Sequence, residues 1–293
     1  MLTTIFYHVD NFCKDFNAYL KTHELGNRVK RGPRCSLSQS EALTILIFFH
    51  RSGKRNFKDY YQTYIRGFLA SAFPKAPSYN RFVELIPNYA MHMYVFLQLY
   101  MLGAITGIAY IDSTTLPVCH NLRIGSHRVF KGVAARGKTS TGWFYGFKLH
   151  LIINELGEII AFDITPGNID DRNRSVINKL TRNLTGKLFG DRGYISGPLF
   201  KELFAKGIQL FTRVKKTMKN ALLTLSDKLL LSKRGIIEAV NGLLKNECLI
   251  QHSRHRSHAN FFVHLLAGLI AYSFRPVKPL LKHCSDQFIG CKG

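Results

Sequence analysis

Three acidic residues stand out in a chain that contains few acids. Its 293 residues include 41 Lys and Arg but only 18 Asp and Glu. Asp112 directly follows the apolar run IAYI, and Asp191 lies in LFGDRGY, just after another apolar run. Glu238 lies in KRGIIEAVNGLL, with Arg234 four residues before it and Lys245 seven residues after it. On a helix, this spacing places all three side chains on one face.

Carboxylates of this kind indicate metal-dependent chemistry if they come together in the fold. Carboxylates gathered beside an apolar core repel one another and must be neutralised by protons, by Arg or Lys, or by a divalent cation. Their hard oxygen atoms suit Mg²⁺ or Mn²⁺. Two such ions about 3.5–4 Å apart activate an attacking oxygen and stabilise a leaving oxygen in phosphodiester cleavage.

The pattern predicts that Asp112 and Asp191 each end a strand. Ligands of mixed α/β sheets gather at the carboxyl ends of strands, so the two acids converge if their strands are neighbours. Each acid also has a simpler interpretation. Asp112 would cap a turn at STT, Asp191 would pair with Arg192, and Glu238 would form a helix pair with Arg234.

The composition changes after the first hundred residues. Up to that point the sequence predicts amphipathic helices, with Ser38 and Ser78 as capping residues, which suit either a helix-turn-helix-like DNA-binding module or a helical cap over the next domain. Five β-branched and aromatic runs then predict strands, namely IAYID, GFKLHLIIN, IIAFDITPG, GKLFGD and IQLFTRV. A helix capped by Asp170 or Asp171 follows the third strand, and a second helix follows the fourth.

Three strands in a meander, followed by alternating helices and strands, indicate a mixed sheet with helices packed against it. We therefore predict an α/β fold with a mixed five-stranded sheet flanked by helices, preceded by an all-helical N-terminal domain. The predicted ranges are 1–104 for the helical domain, 105–275 for the α/β domain and 276–293 for a C-terminal tail.

The net charge of +23 indicates a polyanionic partner, of which nucleic acid is the commonest. An anionic membrane surface is the rival, but the basic residues are spread along the chain and form no single amphipathic stripe. No segment predicts a signal peptide or a membrane span. The six cysteines form no C-x-x-C pair, which favours reduced thiols in the cytoplasm over a disulfide framework or a zinc site.

In these residues the sequence resembles the DDE transposases of bacterial insertion sequences, with the nine-eight-two type as the nearest group. The resemblance covers most of the chain and is strongest in YIDSTTLPVC, GFKLHLIIN, TPGNIDDR, GDRGYIS and RGIIEAVNGLLK. The catalytic aspartates of the family match Asp112 and Asp191, and its glutamate matches Glu238. Arg234, Glu238 and Lys245 also match a Y-x2-R-x3-E-x6-K signature of related enzymes, in which Leu231 replaces the tyrosine.

The resemblance implies a ribonuclease H-like catalytic domain that binds the ends of an insertion sequence, cleaves the DNA there and joins it to target DNA. It implies Mg²⁺ as cofactor, with two ions and Mn²⁺ as a substitute, held by the three acids. The partners it implies are terminal inverted repeats and target DNA, bound by a homodimer in the bacterial cytoplasm beside the nucleoid. The candidate DNA-binding residues are Arg234, Lys245, Arg192, Lys148, Arg254 and Arg256; the first two have salt bridges supporting Glu238 as an alternative role.

Four other features have competing interpretations. His150 is a core histidine or a side chain facing the metal pocket, and Asp171 is a helix cap or a further acid near the site. The segment HSRHRSH (252–258) is a basic DNA-facing segment rather than a metal site. Trp143, the only tryptophan, either packs at the start of a strand or stacks on an unpaired base near the cut.

Three other classes of protein share parts of this pattern. A nuclease or resolvase on the same fold has the same acids and charge, and differs only in lacking strand joining. A non-catalytic DNA-binding protein needs the N-terminal helices but not the acids. A structural RNA-binding protein has no use for a metal pocket.

Overall fold

The computed structural model describes residues 1–23, 36–140, 142–213, 223–251 and 255–281. The chain divides into two compact units. The first comprises Met1–Met101 and Leu244–Phe274, and the second comprises Leu102–Leu243 together with the segment that starts at Arg275. The sequence prediction had placed residues 244–274 in the α/β domain, whereas the contacts group them with the N-terminal helices.

The first unit is helical, as predicted. The bounds of its helices are Leu2–Thr22 (α1), Gln39–Phe49 (α2), Phe57–Asp59 (α3) continued as a π-helix over Tyr60–Phe68, Tyr79–Leu85 (α4) continued as a 3₁₀ turn over Ile86–Tyr89, and Ala90–Phe96 (α5) continued as a π-helix over Leu97–Met101. The predicted cap of α2 is confirmed, because Ser38 and Glu41 form a capping box. His258–Ser273, which will be called α10, is buried almost throughout and packs against α2 and α5.

The second unit is built on one mixed sheet. Its strands are Ile108–Cys119 (β1), Ala135–Thr139 (β2), Gly142–Asn154 (β3), Ile159–Pro166 (β4), Gly186–Gly190 (β5) and Ile208–Thr212 (β6). β3 pairs antiparallel with β1, β2 and β4, whereas β5 lies parallel between β1 and β6. The predicted ribonuclease H-like α/β class is confirmed.

The sheet has six strands rather than the five that were predicted. The additional strand, β2, pairs with the first part of β3, and β4 pairs with the part that follows. The two short strands therefore succeed each other along the same edge of β3. The sequence of β2, ARGKT, has no apolar alternation that would have predicted it.

Helices cover this sheet and carry one of the three acids. They are Arg174–Leu180 (α6), Gly197–Ala205 (α7), Leu225–Ser232 (α8) and Gly235–Asn246 (α9), the last of which contains Glu238 and crosses the boundary between the two units. Side chains of α6 and α7 pack with β1, β5 and β6 in one apolar core. The predicted cap of α6 was wrong: Asn173, and neither Asp170 nor Asp171, accepts the backbone N–H groups of its first turn.

The described residues contain three of the six cysteines, and Cys13, Cys119 and Cys248 are free thiols. Cys35, Cys284 and Cys291 lie outside the described residues. Within the described part of the chain, no helix is long and apolar enough to span a membrane.

Candidate active site

Asp112 does not end its strand, contrary to the prediction. It is the fifth of the twelve residues of β1, which continues to Cys119 alongside β3. Its parallel neighbour β5 does end here, because the ladder between the two strands stops at Tyr110 and Phe189. The interpretation of Asp112 as a cap of an STT turn was also wrong, since residues 113–115 belong to the strand. Asp112 therefore lies where the sheet loses a strand on one side.

The register of β1 and β5 relates Asp112 to Asp191. Tyr110 lies opposite Phe189, and their rings stack with centroids 5.4 Å apart on one face of the sheet. Because side chains alternate between faces, the residues two positions further on return to that face. These residues are Asp112 and Asp191. Neighbouring strands are about 4.8 Å apart, so the continued register places the two acids side by side.

The chain after β5 turns sharply at Asp191. The carboxylate Oδ1 accepts a hydrogen bond of 2.7 Å from the backbone N–H of Gly193 and so stabilises the 3₁₀ turn Arg192–Tyr194. Gly190 lets this turn fold back, because a Cβ there would lie 3.1 Å from the ring of Tyr194. No ion pair joins Asp191 to Arg192, both of which the structure describes, and Arg192 is exposed.

Two contacts hold the helix before Glu238 against the acid-bearing strands. The hydroxyl of Tyr110 donates to the carbonyl of Leu230, and the ammonium group of Lys187 lies 2.6 Å from the carboxylate of Asp227. Tyr110 lies two residues before Asp112, and Lys187 lies four residues before Asp191. α8 is thus fixed to both strands, and α9 begins three residues after α8 ends.

Arg234 links the acid on the strand to the acid on the helix. Its guanidinium lies 4.0 Å from Oδ1 of Asp112 and forms an ion pair with Oε1 of Glu238. The side chain of Arg234 is only 18% exposed, whereas that of Glu238 is 60% exposed. The simpler interpretation of Glu238 as a helix partner of Arg234 is thus correct, and the same arginine also reaches Asp112.

Burial dominates the protonation of Asp112 and raises its pKa to about 6. The charge of Arg234 and the backbone N–H of Ser113 lower that pKa, whereas the negative charges of Asp191 and Glu238 raise it further. The three acids are therefore close enough to affect one another.

Asn241 is a member of this site that the sequence analysis missed. Its Nδ2 donates a 3.1 Å hydrogen bond to Oδ2 of Asp112. Within the described residues its Oδ1 is buried and has no hydrogen-bond partner. The available signal was its position three residues after Glu238, which places it on nearly the same face of the helix.

The donor set suits a hard divalent cation. Three carboxylates converge, and the unpartnered amide oxygen of Asn241 belongs to a side chain that already contacts Asp112. The spacing is not that of a bound cation, because no group of three or more His, Cys, Asp or Glu side chains in the described ranges is close enough to hold one. In this structure, Arg234 supplies the positive charge that the acids require.

A second carboxylate centre lies on the opposite face of β1. Asp171 accepts hydrogen bonds from the hydroxyl of Ser113, at 2.9 Å, and from the ammonium group of Lys148, at 3.1 Å. His150 is 1% exposed, donates to or accepts from Thr165 at 2.9 Å, and has Nδ1 at 3.9 Å from Asp171. Burial lowers the pKa of His150, as expected for a core histidine.

The remaining predicted residues are distributed over the chain. Lys148 is occupied within the protein, since it also donates to the carbonyl of Ile169. Lys245 lies on α9 two turns after Glu238. Arg256 is exposed, and Arg254 lies outside the described residues together with His252. Trp143 does not pack at the start of its strand, because 61% of its surface is exposed.

Residues 102–258 match the model of the family described as "Transposase DDE domain", which is more than half of the chain. The chain belongs to this family. Members act in DNA transposition and typically depend on divalent metal ions. The match includes Asp112, Asp191, Arg234, Glu238 and Asn241.

Two solved structures are similar to this transposase domain protein over most of its length. One is the cryo-EM structure of the piggyBac transposase synaptic complex with hairpin DNA, at 12% identity and a TM-score of 0.48, with 92% of this chain and 70% of that chain covered. The other is the crystal structure of the Mos1 strand transfer complex, at 12% identity and a TM-score of 0.22, with 89% and 87% covered. No curated protein is similar to the chain at a significant level.

Proposed function

We propose that this protein is the transposase of an insertion sequence and that Asp112, Asp191 and Glu238 are its catalytic residues. It binds the terminal inverted repeats of its element, cleaves the DNA there and joins the freed ends to target DNA. The observation that supports this most directly is the convergence of the three acids. The sheet register aligns Asp112 with Asp191, and Arg234 connects Asp112 to Glu238.

The three carboxylates, with the amide oxygen of Asn241 beside them, would hold two Mg²⁺ ions, for which Mn²⁺ can substitute. Ions bound there supply activation of the attacking oxygen and stabilisation of the leaving oxygen in phosphodiester cleavage. The protein side chains position this chemistry. Asp112 is held by a hydrogen bond from Asn241, and Asp191 by the backbone of the turn it caps.

Cations around the site would bind the phosphates of the DNA. Arg234 and Lys245 share a helical face with Glu238, and Arg192 is exposed directly beside Asp191. The net charge of +23 provides a long-range attraction for DNA. Arg256 and the helices of the first unit are proposed to contribute recognition of the element ends, with two copies of the protein acting on paired ends.

The test is a cleavage and joining assay with labelled DNA from the ends of the element. Asp112→Asn, Asp191→Asn and Glu238→Gln should each reduce Mg²⁺-dependent cleavage by orders of magnitude while DNA binding survives. In Ca²⁺, which binds carboxylates but does not support this chemistry well, the wild-type protein should bind the ends without cutting them. Full cleavage by any one variant would remove that residue from the site.

The same assay separates the alternatives. A nuclease or resolvase would cut labelled ends but would not join them to a target plasmid. A non-catalytic DNA-binding protein would behave identically with and without the three substitutions. Joined product that depends on all three acids would leave only the transposase.

A further inference from the structure

The long connection between β1 and β3 is the most one-sidedly charged part of the second unit. Residues 113–154 contain no Asp or Glu. Five of their basic side chains lie in or next to the connection and are exposed, and none forms a salt bridge with an acid in the described parts of the chain: Arg123, Arg128, Lys131, Arg136 and Lys138. A surface of uncompensated cations attracts a polyanion.

Trp143 stands within this basic surface. It lies at the start of β3, directly opposite Lys138 on β2, and its side chain is 61% exposed. The ammonium group of Lys138 lies 5.6 Å from the centre of the indole ring. Leu122, in the same connection, is 90% exposed. A large aromatic ring exposed to water among cations is costly for a surface that binds nothing, because aromatic side chains gain most of their free energy by burial.

The local backbone holds the indole in a defined place. The side chain of Asn121 donates to the carbonyl of Trp143, and Thr139 donates to the carbonyl of Gly142. Gly137 allows β2 to lie close to the next loop, since a Cβ there would collide with the carbonyl of Gly167. The ring is therefore carried by a paired strand rather than by a free loop.

We propose that Trp143, with Lys138, is a stacking platform for an unpaired base of single-stranded DNA. The indole provides a flat surface for a base, Lys138 provides a charge for the adjoining phosphate, and the other cations of the connection follow the backbone of the strand. This combination of an aromatic ring and a basic groove favours single strands over closed duplexes, whose bases are already stacked on one another. The inference extends the proposed function, since cleaved DNA ends carry or readily release unpaired nucleotides.

The register of the sheet places this platform away from the cut. Asp112 pairs with Leu151, which lies eight residues after Trp143 on β3. At about 3.3 Å per residue, the platform lies about 26 Å along the strand from the catalytic acids. The bound base therefore belongs to a strand that continues past the cleavage site, and not to the nucleotide that is cut.

The chain has a single tryptophan, so its intrinsic fluorescence reports on residue 143 alone. Full-length protein in EDTA is titrated with a 20-nucleotide oligothymidylate, with a blunt 20-base-pair duplex and with that duplex carrying a ten-nucleotide 3′ overhang. Fluorescence anisotropy of a label on the DNA measures binding in parallel. The single strand and the overhang should quench Trp143 on binding, whereas the blunt duplex should bind without quenching it.

Substitutions test whether the ring contributes to affinity. Trp143→Leu should weaken binding of the single strand and the overhang by about 5- to 150-fold, the range that stacking of one base provides, and leave the blunt duplex unaffected. Trp143→Phe should lose less. Phe204→Leu is the matched control, because Phe204 is 60% exposed on α7, outside the basic connection, and should change nothing.

Three results would overturn the inference. They are unchanged fluorescence when the single strand is bound, equal loss of all three ligands in Trp143→Leu, and tighter binding of oligouridylate, which would indicate RNA. The titration contains no metal and requires no cleavage. A protein that fails to cut but quenches on single strands contradicts the proposed function alone, and one that cuts without quenching contradicts this inference alone.

Discussion

The two faces of β1 present carboxylates in contrasting surroundings. On one face, Asp171 receives hydrogen bonds from Ser113 and Lys148, and His150 lies near it. On the other face, Asp112 receives a hydrogen bond from Asn241 and shares Arg234 with Glu238. Each centre combines an acid, a cation and a neutral donor.

The difference lies in the charge balance. The acid Asp171 is matched at short range by the ammonium group of Lys148. Around Arg234, a single guanidinium faces Asp112 and Glu238, and Asp191 adds to the negative potential that raises the pKa of Asp112. A neutralised acid stabilises the fold, whereas an excess of negative charge provides binding capacity for a cation. Proximity of polar groups alone therefore does not mark the catalytic centre.

The largest effect should come from exchanging each acid for its amide. Asp112→Asn should lower the rate of end cleavage on the order of 10³-fold or more, because it removes a member of a catalytic set. Asp171→Asn should instead destabilise the protein by about 1–3 kcal/mol, because it leaves Lys148 half-buried without its charged partner. Cleavage kinetics and urea unfolding of both variants measure the two effects.

A reversed outcome would contradict the comparison. If Asp171→Asn lost as much activity as Asp112→Asn at a temperature where it remains folded, the second centre would be part of the catalytic machinery. Circular dichroism at the assay temperature establishes that both variants are folded.

How far the sequence predicts these two centres depends on the range of the interactions. Strands β1, β3, β4, β5 and β6 were predictable because β-branched and aromatic runs reflect local preferences. The true length of β1 was not, because its second half contains Ser, Thr and Pro117 and is held as a strand by pairing with β3. β2 was missed for the same reason.

The catalytic acids were predictable from their positions after apolar runs and from the family resemblance, but their partners were not. Asn241 and Asp112 are 129 residues apart in sequence, and no periodicity connects them. Lys148 was assigned to DNA because it is basic, yet its contact with Asp171 depends on the pairing of β1 with β3. Charge indicates a partner in general, whereas the folded structure determines which charges remain available.

The second prediction concerns the role of Arg234. If its guanidinium also binds phosphate, Arg234→Gln should weaken binding of end DNA by about 10-fold and reduce the slope of log affinity against log salt concentration by about one. A role confined to supporting Asp112 and Glu238 would leave the slope unchanged. Anisotropy titrations at several salt concentrations distinguish these cases.

Lys233→Gln is the matched control for this change. Lys233 is the exposed neighbour of Arg234 and carries the same charge, but forms no salt bridge with a described acid of the site. An equal effect of both substitutions on the salt slope would indicate general electrostatic attraction instead of a specific contact.

The third prediction concerns Asn241, which holds Asp112 through one hydrogen bond. Asn241→Leu should reduce the cleavage rate by about 10-fold, because Asp112 loses a donor worth about 1 kcal/mol that fixes its orientation. Asn241→Asp should reduce it further, because a like charge is placed beside Asp112. Single-turnover cleavage measures the rate, and the Mn²⁺ concentration needed for half-maximal activity measures metal affinity.

Asn246→Leu is the control, since Asn246 is the exposed last residue of the same helix. Wild-type rates and metal requirement in Asn241→Leu would show that Asn241 has no positioning role.

The smallest expected effect concerns the ion pair between Lys187 and Asp227, which fixes α8 to β5. Burial opposes ionisation of Asp227, but hydrogen bonds from Lys187 and Thr224 outweigh it and hold its pKa below the ordinary value. Since the folded pKa is lowered, the stabilisation is present above the unfolded pKa of about 4 and is lost as the pH falls through the folded value. Asp227→Asn should therefore lower the Tm at pH 7 and have little effect near pH 3. The pair Asp170–Arg172 offers a control: Arg172 lowers the pKa of Asp170 to about 2, yet Asp170 is 57% exposed, so Asp170→Asn should cost less than about 0.5 kcal/mol. If the two substitutions shifted the Tm equally at pH 7, the Lys187–Asp227 pair would contribute no more to positioning the Glu238 helix than a surface ion pair does.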